Sequence, residues 1–227
     1  MLKAVIFDID GTLVDSNASH VAAWREVFLR HGKSVDRSAL WRQMGKGGDE
    51  LMPVFWSEHE VAEFGEEMQA ERVGLFMRRY LPLCKPFPGV RPLFERVKAA
   101  GVRIALASSA KQPELEHDLK LLGVGDLVDA TTSADDAEHS KPQPDILQAA
   151  LARLPGVAAA DTLVIGDSPF DVEAAARAGM RCIGVLTGGF SQRDLLQAGA
   201  IAVYKDIPDL ARHFDESPLA LPAHEQY

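Results

Sequence analysis

The sequence predicts an α/β fold, a doubly wound, Rossmann-like parallel sheet that carries an inserted all-helical cap domain. Two observations lead to this prediction. Short apolar runs alternate with helical patterns through most of the chain, which is typical of a parallel sheet covered by helices on both faces. The interval between the first two runs, from about residue 16 to residue 85, is too long for one crossover helix and has no strand-like run.

Six apolar runs are the predicted strands. Each is almost continuously apolar rather than alternating, as expected for strands that are buried on both faces. The last run is the weakest of the six. The predicted strands cover residues 4–7, 102–107, 127–130, 162–165, 182–185 and 201–204.

The long interval after the first strand has the pattern of several helices. Val21, Trp24 and Phe28 share one helical face, and Gly32 follows where a helix would end. We therefore expect a catalytic core of residues 1–15 and 86–214, a helical cap of residues 16–85, and a frayed tail of residues 215–227. The predicted helices cover residues 17–31, 36–43, 48–57 and 59–81.

Length and charge restrict the possible functions. The 227 residues correspond to roughly one and a half domains. With 24 basic and 33 acidic residues the net charge is −9, which disfavours a nucleic-acid partner or an anionic membrane surface. An anionic small substrate would need local cations or a metal ion.

The chain also has no apolar run long enough to span a membrane, and we expect a cytoplasmic protein. Its two cysteines, Cys84 and Cys182, lack the spacing of a zinc site, and a disulfide between them is not expected.

Polar side chains follow the predicted strands at one edge of the sheet. Ligands of open α/β sheets bind beyond the carboxyl ends of the strands, so these residues are candidates for a site. A lysine in the loop after the third strand adds a positive charge. The candidates are Asp8 and Asp10 after the first strand, Ser108 and Ser109 after the second, Lys141, and Asp167 after the fourth.

Asp8, Asp10 and Asp167 are the predicted metal ligands. Carboxylates this close repel one another unless a cation separates them, and oxygen ligands suit a hard divalent ion such as Mg²⁺. Gly11 would let the chain turn sharply after Asp10. The alternative is that Asp8 and Asp10 begin an ordinary loop and Asp167 caps a helix.

A helix is predicted directly after Asp167, with Ser168 as its N-cap and Gly179 just past its end. Asp171 falls in the first turn, where it either compensates the helix dipole or supports the metal ligands from behind. Lys141 precedes Pro142 in a polar loop and is either a solvated surface lysine or the cation that an anionic substrate needs.

Four motifs together resemble the haloacid dehalogenase superfamily. They are Asp8-Ile9-Asp10-Gly11-Thr12-Leu13-Val14-Asp15, Ser108 after an apolar strand, Lys141-Pro142, and Gly166-Asp167-Ser168-Pro169-Phe170-Asp171. They occur in the family's order. The helical insertion resembles the cap of the phosphoglycolate phosphatase and β-phosphoglucomutase branch, and the resemblance covers residues 2–213.

This resemblance implies a mechanism. Asp8 would be the nucleophile that forms an aspartyl-phosphate, and Asp10 the general acid and base, with its backbone carbonyl as a further metal ligand. Ser108, Lys141 and Mg²⁺ would neutralise the charge of the phosphoryl group. Gly11, Thr12 and Ser109 are the expected substrate-binding positions of the adjacent loops.

The cap is where the family places its substrate specificity. The glycine-rich segment 44–52 resembles the cap loop of phosphoglycolate phosphatases, and Lys46 with Gly47 would reach the substrate when the cap closes. His20 either lines the cleft between cap and core or lies on a helix surface. The alternative for the loop is an ordinary turn between two helices.

The activity expected is a phosphoric monoester hydrolase acting on a small phosphorylated metabolite, with 2-phosphoglycolate or a sugar phosphate as the best candidates. A mutase is disfavoured because Gly48 and Asp49 stand where the mutases carry a basic residue, and dehalogenase chemistry because Asp10 is present. A phospho-receiver signalling module is the rival from another class, although receivers are about half this length. The protein is expected to be a monomer or a homodimer.

Overall fold

The computed structural model describes residues 1–220, which form eight strands and ten α-helices. The strands are β1 (Ala4–Phe7), β2 (Val14–Asp15), β3 (Lys85–Pro86), β4 (Arg103–Ala107), β5 (Ala130–Thr132), β6 (Thr162–Gly166), β7 (Arg181–Val185) and β8 (Ala202–Tyr204). The helices are α1 (Asn17–Arg30), α2 (Arg37–Trp41), α3 (Gly48–Leu51), α4 (Glu58–Leu75), α5 (Val90–Ala99), α6 (Gln112–Leu122), α7 (Asp145–Ala152), α8 (Pro169–Arg177), α9 (Gln192–Ala198) and α10 (Ile207–Arg212).

Six strands form one parallel sheet in the order β5-β4-β1-β6-β7-β8. The first strand lies in the middle, where Ile6 is in register with Ala105 on one side and Val164 on the other. The chain builds the sheet outward from β1 in one direction and then in the other, so the order of the strands reverses beside β1. The predicted doubly wound α/β sheet is confirmed, and β1 stands at its switch point.

The sheet is covered on both faces. Val5 and Phe7 of β1 belong to a core that includes residues of α5 and α10, while Ala4 and Ile6 pack with residues of α7, α8 and α9. Because neighbouring residues of β1 face opposite cores, all four are fully buried. This is the reason for the continuously apolar pattern of the strand.

One predicted strand is displaced. The run 127–130 overlaps β5 only at Ala130, because Leu127 still belongs to a turn, with its N–H donating to the carbonyl of Val124. Pairing with β4 begins at Asp129, whose N–H donates to the carbonyl of Ile104. The strand therefore uses the less apolar residues Thr131 and Thr132.

The helices α1 to α4 lie between β2 and β3, and we call residues 17–83 the helical insertion. β2 and β3 form a two-stranded antiparallel ladder that pairs Val14 with Pro86 and Asp15 with Lys85. Strands of two residues carry no recognisable pattern, and the sequence analysis missed them. The predicted boundaries of the cap at residues 16 and 85 coincide with this ladder. Val21, Trp24 and Phe28 of α1 are buried, as their spacing predicts.

Two predicted helices end earlier than expected. The run 48–57 is a short α3 followed by a 3-10 turn that contains Pro53, which lacks the N–H that a continued helix needs. The run 59–81 is α4, which begins with a capping box between Ser57 and Glu60, and is followed by a π-helical turn, Phe76–Tyr80. A 3-10 turn containing Pro82 then leads to β3.

The end of the core extends further than the sequence indicates. Ser217 and Leu219 are buried, so the part of the predicted frayed tail up to residue 220 packs against the protein. The rest of that tail lies outside the described residues. Cys84 and Cys182 are both buried and unpaired. Among residues 1–220, no helix has the length and apolar character that crossing a membrane requires.

Candidate active site

Three carboxylates come together at the carboxyl edge of the sheet. Asp8 follows β1, and Asp167 follows the neighbouring β6, so the parallel pairing of these strands brings the two side chains side by side. Asp171 joins them from the first turn of α8. One oxygen of each lies within 4.8 Å of the others, and all three side chains are buried.

Lys141 supplies the buried positive charge beside these carboxylates. Its Nζ lies 2.5 Å from Asp8 Oδ1 and 2.7 Å from Asp171 Oδ1. Only 1% of Lys141 is exposed, which excludes the alternative of a solvated surface lysine. Burial by itself would lower the pKa of Lys141, but Asp171 and Asp8 raise it above its ordinary value, so the lysine is charged.

Asp171 caps α8 with one carboxylate oxygen and binds Lys141 with the other. Its Oδ2 accepts hydrogen bonds from the N–H and the hydroxyl of Ser168, which completes a capping box at the start of α8. Its Oδ1 binds Lys141. This capping box therefore holds Asp171 in the orientation that places Lys141 against Asp8. The predicted N-cap at Ser168 and the predicted end at Gly179, whose φ is +73°, are both found.

Thr12 and Asn17 hold the two strand-end carboxylates. The Thr12 hydroxyl lies 3.0 Å from Asp8 Oδ2 and 3.1 Å from Asp167 Oδ1, and the Asn17 amide donates to Asp167 Oδ2 at 3.0 Å. Thr12 was expected to bind substrate, and here it orients carboxylates. Asn17 was not singled out, because an asparagine at the start of a helix has the pattern of an ordinary cap residue.

Two glycines leave the room that this arrangement needs. Gly11 has a φ of +79°, and a Cβ there would come within 2.3 Å of both Asp167 Oδ2 and Asn17 Nδ2. A Cβ at Gly188 would lie 1.9 Å from the same carboxylate oxygen. The predicted sharp turn at Gly11 is confirmed, and Gly188 is a second close approach that the sequence did not reveal.

The carboxylates carry more negative charge than Lys141 balances. Burial raises the pKa of Asp8 to about 7, against the attraction of Lys141. Burial, together with Asp8 and Asp171, likewise holds the pKa of Asp167 well above its ordinary value. Such shifts record an excess of buried negative charge, which a cation would relieve. An all-oxygen group of carboxylates suits a hard divalent ion, so the residues present fit Mg²⁺.

Asp10 points away from the three carboxylates. Its Oδ1 accepts a hydrogen bond from Ser16 Oγ at 2.5 Å and lies 2.9 Å from His20 Nε2. Although burial acts in the opposite direction, His20 and Ser16 lower the pKa of Asp10 to about 2. The His20 ring is stacked on Phe76, with 4.0 Å between the ring centroids. His20 therefore lies in the cleft, next to Asp10, rather than on an exposed helix surface.

A cavity of about 40 Å³ lies between these groups and the helical insertion. Asp8 and Asp10 line it from the core, and His20, Lys46 and Arg72 line it from the insertion. The insertion is closed onto the core at this point. The Ser109 hydroxyl donates to the carbonyl of Gly45 at 3.3 Å, and Trp41 Nε1 donates to the carbonyl of Gly188 at 2.8 Å.

The glycine-rich loop lies at the mouth of this cavity. Lys46 donates to Gln43 Oε1, and its Nζ lies 4.8 Å from the centre of the Phe170 ring. Gly47 packs against Ser140, where a Cβ would meet the Ser140 hydroxyl at 2.0 Å. Of the two loop residues predicted to contact substrate, Lys46 lines the cavity, whereas Gly47 lies against the core loop.

Arg72 is a site residue that the sequence analysis missed. It lies on α4, lines the catalytic cavity, and is only 4% exposed. Its Nη1 lies 2.9 Å from Glu114 Oε2 on α6 of the core, and its buried Nε has no hydrogen-bond partner. Arg72 is the one arginine of α4, and a single arginine among the many acidic residues of a long helix carries no signal of such a position.

Ser108 lies where the sequence places it, at the end of β4, and is fully buried. Its hydroxyl accepts a hydrogen bond from the N–H of Ala110 at 3.0 Å. This contact shapes the loop after β4, and the neighbouring residues Ser109 and Ala110 line the catalytic cavity.

Comparison with known proteins identifies the family of this chain. A phosphorylated carbohydrates phosphatase of Thermotoga maritima is 33% identical over 205 residues, covering 90% of this chain and 94% of the relative. A phosphoglycolate phosphatase of Rhodospirillum rubrum is 30% identical over 218 residues, covering 92% and 90%. The crystal structure of a hydrolase from Pseudomonas syringae superposes with a TM-score of 0.87 at 30% identity, covering 94% and 98%. The family model of the haloacid dehalogenase-like hydrolases matches residues 5–185 of this sequence. The chain therefore belongs to that family, in which its relatives are phosphatases.

Proposed function

We propose that the protein is a Mg²⁺-dependent phosphatase that hydrolyses a small phosphorylated metabolite through an aspartyl-phosphate on Asp8. The observation that carries the proposal is the buried group of Asp8, Asp167 and Asp171 with Lys141, beside a cavity that also contains Asp10. The names of the relatives support the class of reaction, since both sequence relatives described above are phosphatases.

In the proposed first step, a carboxylate oxygen of Asp8 attacks the phosphorus and the ester P–O bond breaks. The leaving oxygen takes a proton from Asp10. In the second step, Asp10 accepts a proton from a water molecule that attacks the phosphorus of the aspartyl-phosphate, which releases phosphate and restores Asp8. His20 Nε2 lies 2.9 Å from Asp10 Oδ1 and lowers the pKa of Asp10, which favours the carboxylate that accepts the proton in the second step.

Lys141 has two functions in this proposal. Its positive charge lowers the pKa of Asp8 against the effect of burial and so favours the ionised carboxylate that attacks, and it also opposes the negative charge of the phosphoryl oxygens. Mg²⁺ would be held by Asp8, Asp167 and the backbone carbonyl of Asp10, with Asp171 behind them, and would supply further positive charge at the phosphoryl group. Thr12 and Asn17 keep the carboxylates in place. Ser108 stays a predicted contact of the phosphoryl group, and Gly11, Thr12 and Ser109 stay predicted substrate-binding residues.

We further propose that residues 16–85 are a cap over a core of residues 1–15 and 86–214. The contacts of Gly45 and Trp41 with the core support this division, because they close the insertion over the catalytic cavity. A cap in this position excludes water and brings Lys46 and Arg72 to the substrate. The cytoplasmic location and the choice between monomer and homodimer stay predictions.

The candidate substrates are 2-phosphoglycolate and sugar phosphates. A β-phosphoglucomutase-like phosphotransferase is disfavoured by Asp49, which stands in the loop where a cation for a second phosphate would be needed. A phospho-receiver module is disfavoured by the cavity and the closed insertion, since a receiver needs neither.

The test is a phosphate-release screen of the purified protein with Mg²⁺ across two- to six-carbon phosphoesters and p-nitrophenyl phosphate. We expect continuous release over many turnovers, and a phosphoryl group on the peptide that contains Asp8 after rapid acid quenching. A single stoichiometric release would indicate a receiver. Transfer of phosphate between positions of a sugar, without release, would indicate a mutase.

A further inference from the structure

A second cavity adjoins the catalytic one. It has a volume of about 180 Å³ and lies between the glycine-rich loop and α4 on one side and the core loops on the other. Gly48 and Ser109 line both cavities, so the two lie directly beside each other. The catalytic cavity of about 40 Å³ has the space of roughly three water molecules. That volume leaves little room beyond a phosphoryl group, and the second cavity is the adjoining space in which a leaving group can be held.

The charges along the second cavity disfavour an anionic leaving group. Asp49 and Glu138 line it, and Lys111 is its one basic lining residue. The Lys111 ammonium is already paired with Asp135 at 2.8 Å. A second phosphate or a carboxylate in this cavity would face two carboxylates and a lysine whose charge is neutralised, which is repulsive. The cations Lys46 and Arg72 line the smaller catalytic cavity instead.

The hydrogen-bonding groups of the second cavity are mainly acceptors. The Ser109 hydroxyl already donates its hydrogen to Gly45, so towards a ligand it can only accept. Asp49 accepts one bond, from the N–H of Ser140 at 2.9 Å, and carboxylates can accept several. Complementary ligand groups are hydroxyls or amines, which donate.

We propose that Asp49 and Glu138 form a leaving-group pocket that selects phosphomonoesters of neutral or amine-bearing polyhydroxy alcohols. Leaving groups that carry a second phosphate or a carboxylate are rejected. This inference rests on the proposed phosphatase function and narrows it. Of the two candidate substrates it favours a sugar phosphate, because glycolate is too short to use the pocket and carries the disfavoured charge.

The test compares kcat/KM for glucose 6-phosphate and glucose 1,6-bisphosphate, which differ only in the second phosphate. Glucosamine 6-phosphate and 2-phosphoglycolate extend the panel, and p-nitrophenyl phosphate reports turnover in general. We expect the wild-type protein to prefer both monophosphorylated sugars over the bisphosphate and over 2-phosphoglycolate by about tenfold or more. Glu138→Gln should reduce the preference over the bisphosphate by about threefold, and Asp49→Asn should act in the same direction. Added salt should also reduce it, because both carboxylates are exposed.

The matched control is Glu67→Gln, which makes the same change in net charge at an exposed position on α4. It should leave the substrate preference at the wild-type value. A wild-type preference for the bisphosphate or for 2-phosphoglycolate would overturn the pocket assignment. So would pocket variants with the same preference as Glu67→Gln. If no substrate on the panel is hydrolysed, p-nitrophenyl phosphate included, the proposed phosphatase function itself is overturned.

Discussion

At the scale of single residues, the site depends on ionic groups that are buried together. Lys141 contacts both Asp8 and Asp171, and the three side chains are almost completely inaccessible to water. Removing one partner from such a group leaves a buried charge uncompensated, which typically costs about 3–5 kcal/mol. The charge balance around Asp8 therefore affects both the stability of the protein and the proposed chemistry.

Asp8→Asn is expected to lower the rate of phosphate release by at least about three orders of magnitude, because a neutral amide cannot attack phosphorus as the carboxylate does. The measurement is release from p-nitrophenyl phosphate, with circular dichroism to show that the fold is intact. A folded variant with turnover close to the wild-type value would exclude Asp8 as the nucleophile.

Lys46→Ala tests the contribution of the glycine-rich loop. Lys46 lines the catalytic cavity from the insertion, so its loss should lower kcat/KM for the preferred metabolite. A small aryl phosphate makes fewer contacts there, and its kcat/KM should fall far less. Equal losses on both substrates would assign Lys46 a structural role, such as holding Gln43 or packing on Phe170.

Asp118→Asn should change how stability depends on pH. Asp118 is buried on α6, its Oδ1 has no hydrogen-bond partner, and burial raises its pKa from 3.8 to about 9. Because the folded chain keeps this proton to a higher pH than the unfolded chain does, the free energy of unfolding falls as the pH rises between these values. The loss is at most about 1.4 kcal/mol per pH unit.

The variant cannot lose this proton, so its stability relative to the wild-type protein should increase with pH between 3.8 and about 9. Urea unfolding of both proteins across that range measures the difference. A difference that stays constant with pH would contradict the assignment of Asp118 as a buried, protonated acid.

At the scale of elements, the helical insertion is joined to the core at both ends and across the cleft. The ladder of β2 and β3 connects its two ends. Across the cleft, Arg72 of α4 forms a buried ion pair with Glu114 of α6. The ion pair joins the insertion to the core, so opening the cleft between α4 and α6 would break it.

Glu114→Ala should therefore lower the free energy of unfolding by about 3 kcal/mol, because Arg72 would be left buried without its counter-ion. Urea denaturation measures the change. Glu116→Ala is the matched control on the same helix, since Glu116 is exposed, and it should cost less than about 0.5 kcal/mol. Equal effects of the two substitutions would show that the buried ion pair does not stabilise the closed form.

At the scale of the whole molecule, the net charge of −9 opposes the binding of an anionic substrate. A local reversal of charge is needed where the phosphoryl group binds. Lys141, Lys46 and Arg72 provide part of it, although Lys141 and Arg72 are paired with carboxylates. A divalent cation among the buried aspartates would provide the rest.

Chelation by EDTA should accordingly abolish phosphate release, and added Mg²⁺ should restore it. Mg²⁺ should also raise the melting temperature of the protein without substrate, since binding at a hundredfold excess over Kd stabilises a folded protein by about 2.7 kcal/mol. Asp167→Asn should remove this thermal shift. Turnover that is indifferent to EDTA, or an unchanged melting temperature, would contradict the proposed metal site.

Much of the fold follows from local pattern. Strands buried on both faces must be apolar throughout, so five of the six sheet strands lie where their runs place them. The exception is β5, whose pairing with β4 is set by the position of Asp129 rather than by its own hydrophobicity. The two-residue strands β2 and β3, and the π-helical turn after α4, have no sequence pattern long enough to detect.

The sequence by itself determined which functional side chains lie at one edge of the sheet. Asp8, Asp10, Lys141 and Asp167 could be identified because parallel strands end at a common edge. Only the tertiary structure decided that Asp171 rather than the Asp10 side chain joins the carboxylate group, and that Arg72 and Glu114 meet across the cleft. Such contacts depend on how the insertion packs on the core, and residues far apart in sequence carry no mutual pattern that would reveal them.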